Sequence, residues 1–76
     1  MKELVEYIVK SIVSYPDHVE VLEEDAGEGD IRLNVTVHPD DTGKVIGRRG
    51  RIVQSIRTVL RVLAVKQDVR VSLDVD

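Results

Sequence analysis

Cysteine, tryptophan and phenylalanine are absent from this chain, and two tyrosines are its only large aromatic residues. Without cysteine there is no disulfide framework and no thiolate-ligated metal site. Without Phe or Trp the core has to be assembled from Val, Ile and Leu. Asn, Gln and Met are also scarce, at one, two and one copies, which fits a heat-adapted source. No basic n-region followed by an apolar h-region opens the sequence. No run of about 18 apolar residues occurs, and no lipidation motif is visible. No membrane partner is therefore expected, and the cytosol is the default compartment.

What is present is one domain's worth of chain. Its 76 residues suffice for a single domain, residues 1–76, burying about 60% of the surface that the unfolded chain exposes. A stability of roughly 4–11 kcal/mol is the expectation for that length. The apolar fraction of 42% is ordinary for a globular protein. The net charge of −3 hides an asymmetry. Met1–Asp40 holds ten acids and three bases, whereas Gly43–Lys66 holds seven bases (Lys44, Arg48, Arg49, Arg51, Arg57, Arg61, Lys66) and no acid. Partners respond to that local field, not to the total.

Hydrophobic spacing orders the elements. Residues 2–15 carry Leu4, Val5, Ile8, Val9, Ile12 and Val13 at helical spacing, and Tyr15-Pro16-Asp17 ends that helix. The Leu4/Ile8/Ile12 stripe reads as core, and a second apolar stripe would be free to serve a dimer. A short strand over 18–23 places Val19 and Val21 on one face. Glu24–Asp30, with two glycines and four acids, reads as a solvated turn. Ile31, Leu33, Val35 and Val37 alternate with Arg32, Asn34 and Thr36, the clearest strand pattern in the chain. Asp40, Asp41 or Thr42 is placed to cap a short helix that runs to about Ile46 and stops at Gly47. A second helix starts near Gly50 with Ile52, Val53, Ile56, Val59, Leu60 and Leu63 as its apolar positions. A last strand covers 69–75. The order is α-β-β-α-α-β, an α+β fold in which a three-stranded sheet carries all helices on one face.

The two central helices meet at Gly47-Arg48-Arg49-Gly50, a junction whose chemistry suits phosphate. A helix N-terminus offers unpaired N–H groups and partial positive charge. Glycine lets the backbone approach a ligand closely, and arginine binds phosphate oxygens bidentately. Lys44 and Arg51 flank the loop, and Arg57 and Arg61, one turn apart, are a candidate phosphate track. Other glycine-loop readings fail: no Gly-Lys-Ser/Thr occurs for a P-loop, and Val45 stands where a dinucleotide fingerprint needs its first glycine. His18 and His38 are each isolated in sequence, and Glu23, Glu24, Asp25, Glu28 and Asp30 lack the EF-hand spacing. No metal, cofactor or catalytic residue is therefore expected, and no arrangement of acid, base and nucleophile suggests an enzyme.

Val45-Ile46-Gly47-Arg48-Arg49-Gly50-Arg51-Ile52-Val53 resembles the signature of the KH domain, whose Gly-x-x-Gly loop clamps about four nucleotides of single strand. The element order resembles the type II version of that fold, and a freestanding domain of this size is similar to the small bacterial KhpA family. The resemblance implies an RNA-binding surface at Lys44, Val45, Ile46, Gly47, Arg48, Arg49, Gly50, Arg51 and Ile52. Its apolar members would support the loop and line a groove, whose far wall would be a strand edge within residues 31–38. It further implies a cytoplasmic RNA chaperone acting in cell-length (cell-shape) and cell-wall homeostasis. As partners it implies single-stranded RNA and a homodimer, or a heterodimer with a larger KhpB-like KH protein. No Phe, Tyr or Trp follows Tyr15, so base stacking on those residues is not expected near the motif. Weak affinity per domain, broad sequence tolerance and avidity from pairing follow. The competing reading is a protein-interaction module with weak or no direct RNA binding.

Overall fold

A computed structural model describes residues 1–76. Helix α1 (Lys2–Ile12) leads through a single turn at Pro16–His18 into strand β1 (Glu20–Gly27), which pairs antiparallel with β2 (Asp30–Thr36). A turn at Pro39–Asp41 introduces α2 (Thr42–Ile46), and a tight turn at Arg48–Gly50 joins it to α3 (Arg51–Gln67). Strand β3 (Arg70–Val75) then lies parallel to β2, a pairing that needs a crossover, supplied here by α2 and α3. The sheet order is β1-β2-β3. No helix is long and apolar enough to cross a membrane.

The alternation in the central strand works as expected. Leu33 and Val35 are fully buried, while Arg32 and Thr36 face solvent. Leu73 of β3 lies opposite Leu33 in the ladder, and both join Val5, Val53, Ile56 and Leu60 in one cluster. The outward residues Arg70, Ser72 and Asp74 are exposed, so the helices all cover the same face. Helix α3 ends where the Val69 and Asp68 N–H groups fold back onto the Ala64 and Val65 carbonyls. This Schellman turn, with Asp68 in the left-handed region at φ 56°, satisfies the last carbonyls and aims the chain into β3.

Four expectations are corrected. Helix α1 stops at Ile12, not at Tyr15, because Val13 is extended and the Ser14 and Tyr15 N–H groups bond to the carboxylate of Asp41. Its core stripe is Val5 and Val9, both fully buried; Leu4 and Ile8 are half-buried and Ile12 is exposed. The first strand covers 20–27 instead of 18–23, so most of the supposed turn is strand. Its ladder with β2 continues through Asp25 opposite Ile31, past a bulge, and only Glu28-Gly29 turn. Neither face of that extension is buried, so its side chains are free to be polar. Finally, β2 is the central strand, so its residues 31–36 have no free edge to form the wall of a groove; the free edges belong to β1 and β3.

Candidate nucleic-acid interface

The junction between α2 and α3 is built around Gly47. Its N–H donates to the Gly43 carbonyl at 2.8 Å, closing α2. Its backbone then turns to φ 78° and ψ 174°, a region open essentially to glycine alone. A Cβ here would lie 2.6 Å from Ile52 Cγ1 and 2.9 Å from the Ile52 nitrogen, so the two helices meet more closely than any side chain allows. Arg49 and Gly50 follow in the left-handed region, at φ 57° and 73°. For an arginine that conformation costs roughly 1–2 kcal/mol, a local strain at the tip of the loop.

This backbone holds Arg48, Arg49 and Arg51 out in solvent. No carboxylate pairs with any of the three. Helix α3 has no capping side chain and no acid in its first turn, so the positive end of its dipole is uncompensated. The apolar motif residues divide. Val45 is fully buried and Val53 nearly so; they brace the loop from beneath. Ile46 and Ile52 remain part-exposed beside it.

Lys44 is held at the other end of α2. Its ammonium lies 3.5 Å from the carboxylate of Asp41 and donates to the Ser14 hydroxyl. Asp41, one of the three residues placed to cap α2, stands at the cap position, but its side chain makes no capping bond. It is the only buried charged residue of the chain, and it accepts the Ser14 and Tyr15 N–H groups at 3.0 and 2.9 Å. Burial pushes its pKa up, yet those two backbone bonds and the neighbouring Lys44 ammonium more than reverse this, so the group lies below the usual aspartate range. A depressed carboxylate stabilises the fold fully above its unfolded value of about 3.9 and ceases to as pH falls through the lower folded value. Acid unfolding in that window is the expected outcome. Asp41→Asn should flatten the pH dependence of the melting temperature below pH 4; an unchanged profile would show that Asp41 does not carry it. No local pattern announces this residue, because its partners lie 26 and 27 positions upstream.

The same hub places three rings together. Tyr15 stacks on His38 with centroids 4.1 Å apart, and His18 meets both edge-on. The cluster ties the α1–β1 connection to the β2–α2 connection at the Asp41 end of α2, opposite the glycine end. The two histidines, isolated in sequence, are thus neighbours in space.

Helix α3 separates the remaining candidates onto two flanks. On one, Ile52 and Val59 form a shallow apolar groove with Ile8 of α1. On the other, Arg57 and Arg61 face β3 across a cleft of about 290 Å³ floored by Val71 and Leu73. Arg57 is not free there: its Nε and Nη2 donate to the Leu73 carbonyl at 3.2 and 2.8 Å. The strand edge beside the basic helix is therefore β3, and Leu73 joins the candidate residues as one that sequence reasoning missed.

Residues 2–75 match the family described as KhpA/KhpB, KH domain. The chain is similar to several proteins named RNA-binding protein KhpA. That of Clostridium acetobutylicum is 49% identical over 75 residues, 99% of each chain. That of Halalkalibacterium halodurans is 47% identical over 75 residues, 99% of this chain and 97% of its own. That of Streptomyces coelicolor is 47% identical over 77 residues, covering all of this chain and 95% of its own. No solved structure matches.

Proposed function

The chain belongs to the KhpA/KhpB KH-domain family, a family of binding domains and not of enzymes, and from that premise we propose that it binds single-stranded RNA. The observation that carries the reading is the Gly47–Gly50 loop: a backbone with no room for a Cβ at Gly47, presenting unpaired arginines at an uncapped helix N-terminus. Phosphate oxygens take the loop and first-turn N–H groups together with the Arg48 and Arg49 forks. Arg51 adds charge beside them, Lys44 adds it on release from Asp41, and Arg61 extends the track along α3. Bases lie in the α3–β3 cleft, where aliphatic surface and the β3 edge replace aromatic stacking. Affinity per domain is consequently modest.

The wider role taken from the family resemblance is that of a cytoplasmic RNA chaperone in cell-length and cell-wall homeostasis. It would work as a homodimer or with a larger KhpB-like partner. The shallow apolar groove of Ile8, Ile52 and Val59 is open for such pairing, and Tyr7 of α1 and Val62 of α3 are 73% and 55% exposed. The same surface favours the second reading, a protein-interaction module that makes little direct use of RNA.

Titration with a mixed-sequence single-stranded RNA pool, followed by NMR chemical shifts, separates the two. Binding should move resonances from Lys44 to Ile52 and on Arg57 and Leu73. It should weaken with salt at a log–log slope of about −1.4 to −2, the value for two or three phosphate contacts on single strands. A folded protein whose loop stays silent at millimolar RNA would transfer the function to the apolar surface.

A further inference from the structure

The edge of β3 is the one place where main chain meets the basic cleft, and its hydrogen-bonding capacity is already partly used. The Arg70 and Asp76 N–H groups donate to the Gly29 and Val35 carbonyls, so these residues turn their amides inward, toward β2. The intervening residues, Val71, Leu73 and Val75, turn theirs to the free edge, a row of donors and acceptors open to a partner. At the centre of that row the Leu73 carbonyl takes two donors from Arg57. The next outward carbonyls, on Val71 and Val75, are two residues away, about 6.6 Å along the strand. A base seated at Leu73 does not reach them with the same edge. Ser72 and Asp74 also line this cleft, but their side chains alternate onto the outer face of the sheet, away from the helices, and so stand at its rim and not at its centre.

The guanidinium retains its Nη1 pair and one Nη2 proton as donors after serving Leu73. The centre of the cleft therefore offers donors and a saturated acceptor. Adenine presents an amino group that needs an acceptor. Uracil presents two carbonyl oxygens, and guanine presents O6 and N7 on one edge. Displacing a charged, part-buried donor from Leu73 to admit a neutral amino group exchanges a stronger bond for a weaker one.

We infer that Arg57 is a specificity-determining residue, which by occupying the Leu73 carbonyl makes this position accept uracil or guanine in preference to adenine. The inference rests on the RNA-binding reading above and deepens it. Arg57 reads the base and does not simply add charge to a phosphate track.

Fluorescence anisotropy with labelled octamers of uridine and of adenosine tests it, in the wild type, Arg57→Lys and Arg57→Met. Each oligomer's own stacking is common to all three proteins, so the uridine-to-adenosine affinity ratio is the readout. The wild type should favour uridine. Arg57→Lys keeps the charge but loses the fork that holds the carbonyl while contacting a base, and it should reduce the ratio about tenfold, within the range for one bidentate base contact. Arg57→Met should reduce it likewise, with a further loss common to both oligomers. A ratio unchanged in Arg57→Lys, or a wild type that favours adenosine, would overturn the assignment while leaving RNA binding in place. Failure of the folded wild type to bind either oligomer would instead remove the RNA-binding reading and this inference with it.

Discussion

Gly47→Ala is expected to destabilise the domain by about 2–5 kcal/mol, a large share of a total near 4–11 kcal/mol. Two costs add. The backbone at φ 78° and ψ 174° lies outside the regions an L-residue occupies without strain, at roughly 1–3 kcal/mol. The new methyl group would also stand 2.6 Å from Ile52 Cγ1 and 2.9 Å from the Ile52 nitrogen. A side-chain carbon can shift, but the backbone nitrogen belongs to the first turn of α3 and moves only if the helix moves. Gly50→Ala is the internal control. Its backbone is also left-handed, but a Cβ there meets nothing closer than 4.0 Å, so only a conformational cost of about 1–2 kcal/mol applies. Urea unfolding of both variants decides the matter, read as midpoint shifts at constant slope. Equal losses would mean that backbone conformation alone sets the glycine requirement and that the close approach of α2 to α3 is incidental.

That contrast also marks what the sequence makes legible. Features encoded locally were readable: the Leu33/Val35 alternation, Val53, Ile56 and Leu60 on the buried face of α3, and the Gly47–Gly50 junction with its exposed arginines, all set by spacing over a few residues; Ile52 and Val59, which share the apolar pattern of α3, are exposed instead, and Ala64 completes the buried face. Features decided by distant partners were not. Helix α1 could have continued past Ile12 on its own propensity, and it stops because a carboxylate 26–27 residues downstream claims the Ser14 and Tyr15 N–H groups just beyond its end. Both apolar stripes of α1 repeat at four-residue spacing, so periodicity cannot choose between them; the position of the sheet buries Val5 and Val9. The outer part of β1 carries acids on both faces and looks like a turn, yet its backbone pairs with β2 as far as Gly27, with a bulge after Asp25. Strand order is likewise no property of a strand's own composition. The most regular strand, β2, became the centre of the sheet, and the cleft wall fell to β3. The Arg57–Leu73 contact joins residues 16 apart through a backbone carbonyl, which leaves no signature in side-chain identity.

Reversing the loop charge, by Arg48→Asp together with Arg49→Asp, should abolish detectable RNA binding while leaving the fold as stable as before or slightly more so. The two effects have independent causes. Both arginines are exposed and neither has a carboxylate partner, so their removal breaks no contact and each change should stay within about 0.5 kcal/mol. Arg49 occupies the left-handed region at φ 57°, where aspartate is better tolerated than most residues. An acid ahead of α3 also meets the positive end of its dipole, worth about 0.3–1 kcal/mol. For a phosphate the same changes replace two attractive charges by two repulsive ones at the closest approach to the backbone. Thermal melts and anisotropy on the same samples should therefore move apart, with melting temperature level or raised and affinity lost. Affinity retained within about threefold, from a folded variant, would contradict the loop assignment. Arginine at these two positions is thus the less favourable choice for folding. Strain at Arg49 and an uncompensated helix end are what a site held ready for an anion requires, and a loop serving only to connect two helices gains nothing from either.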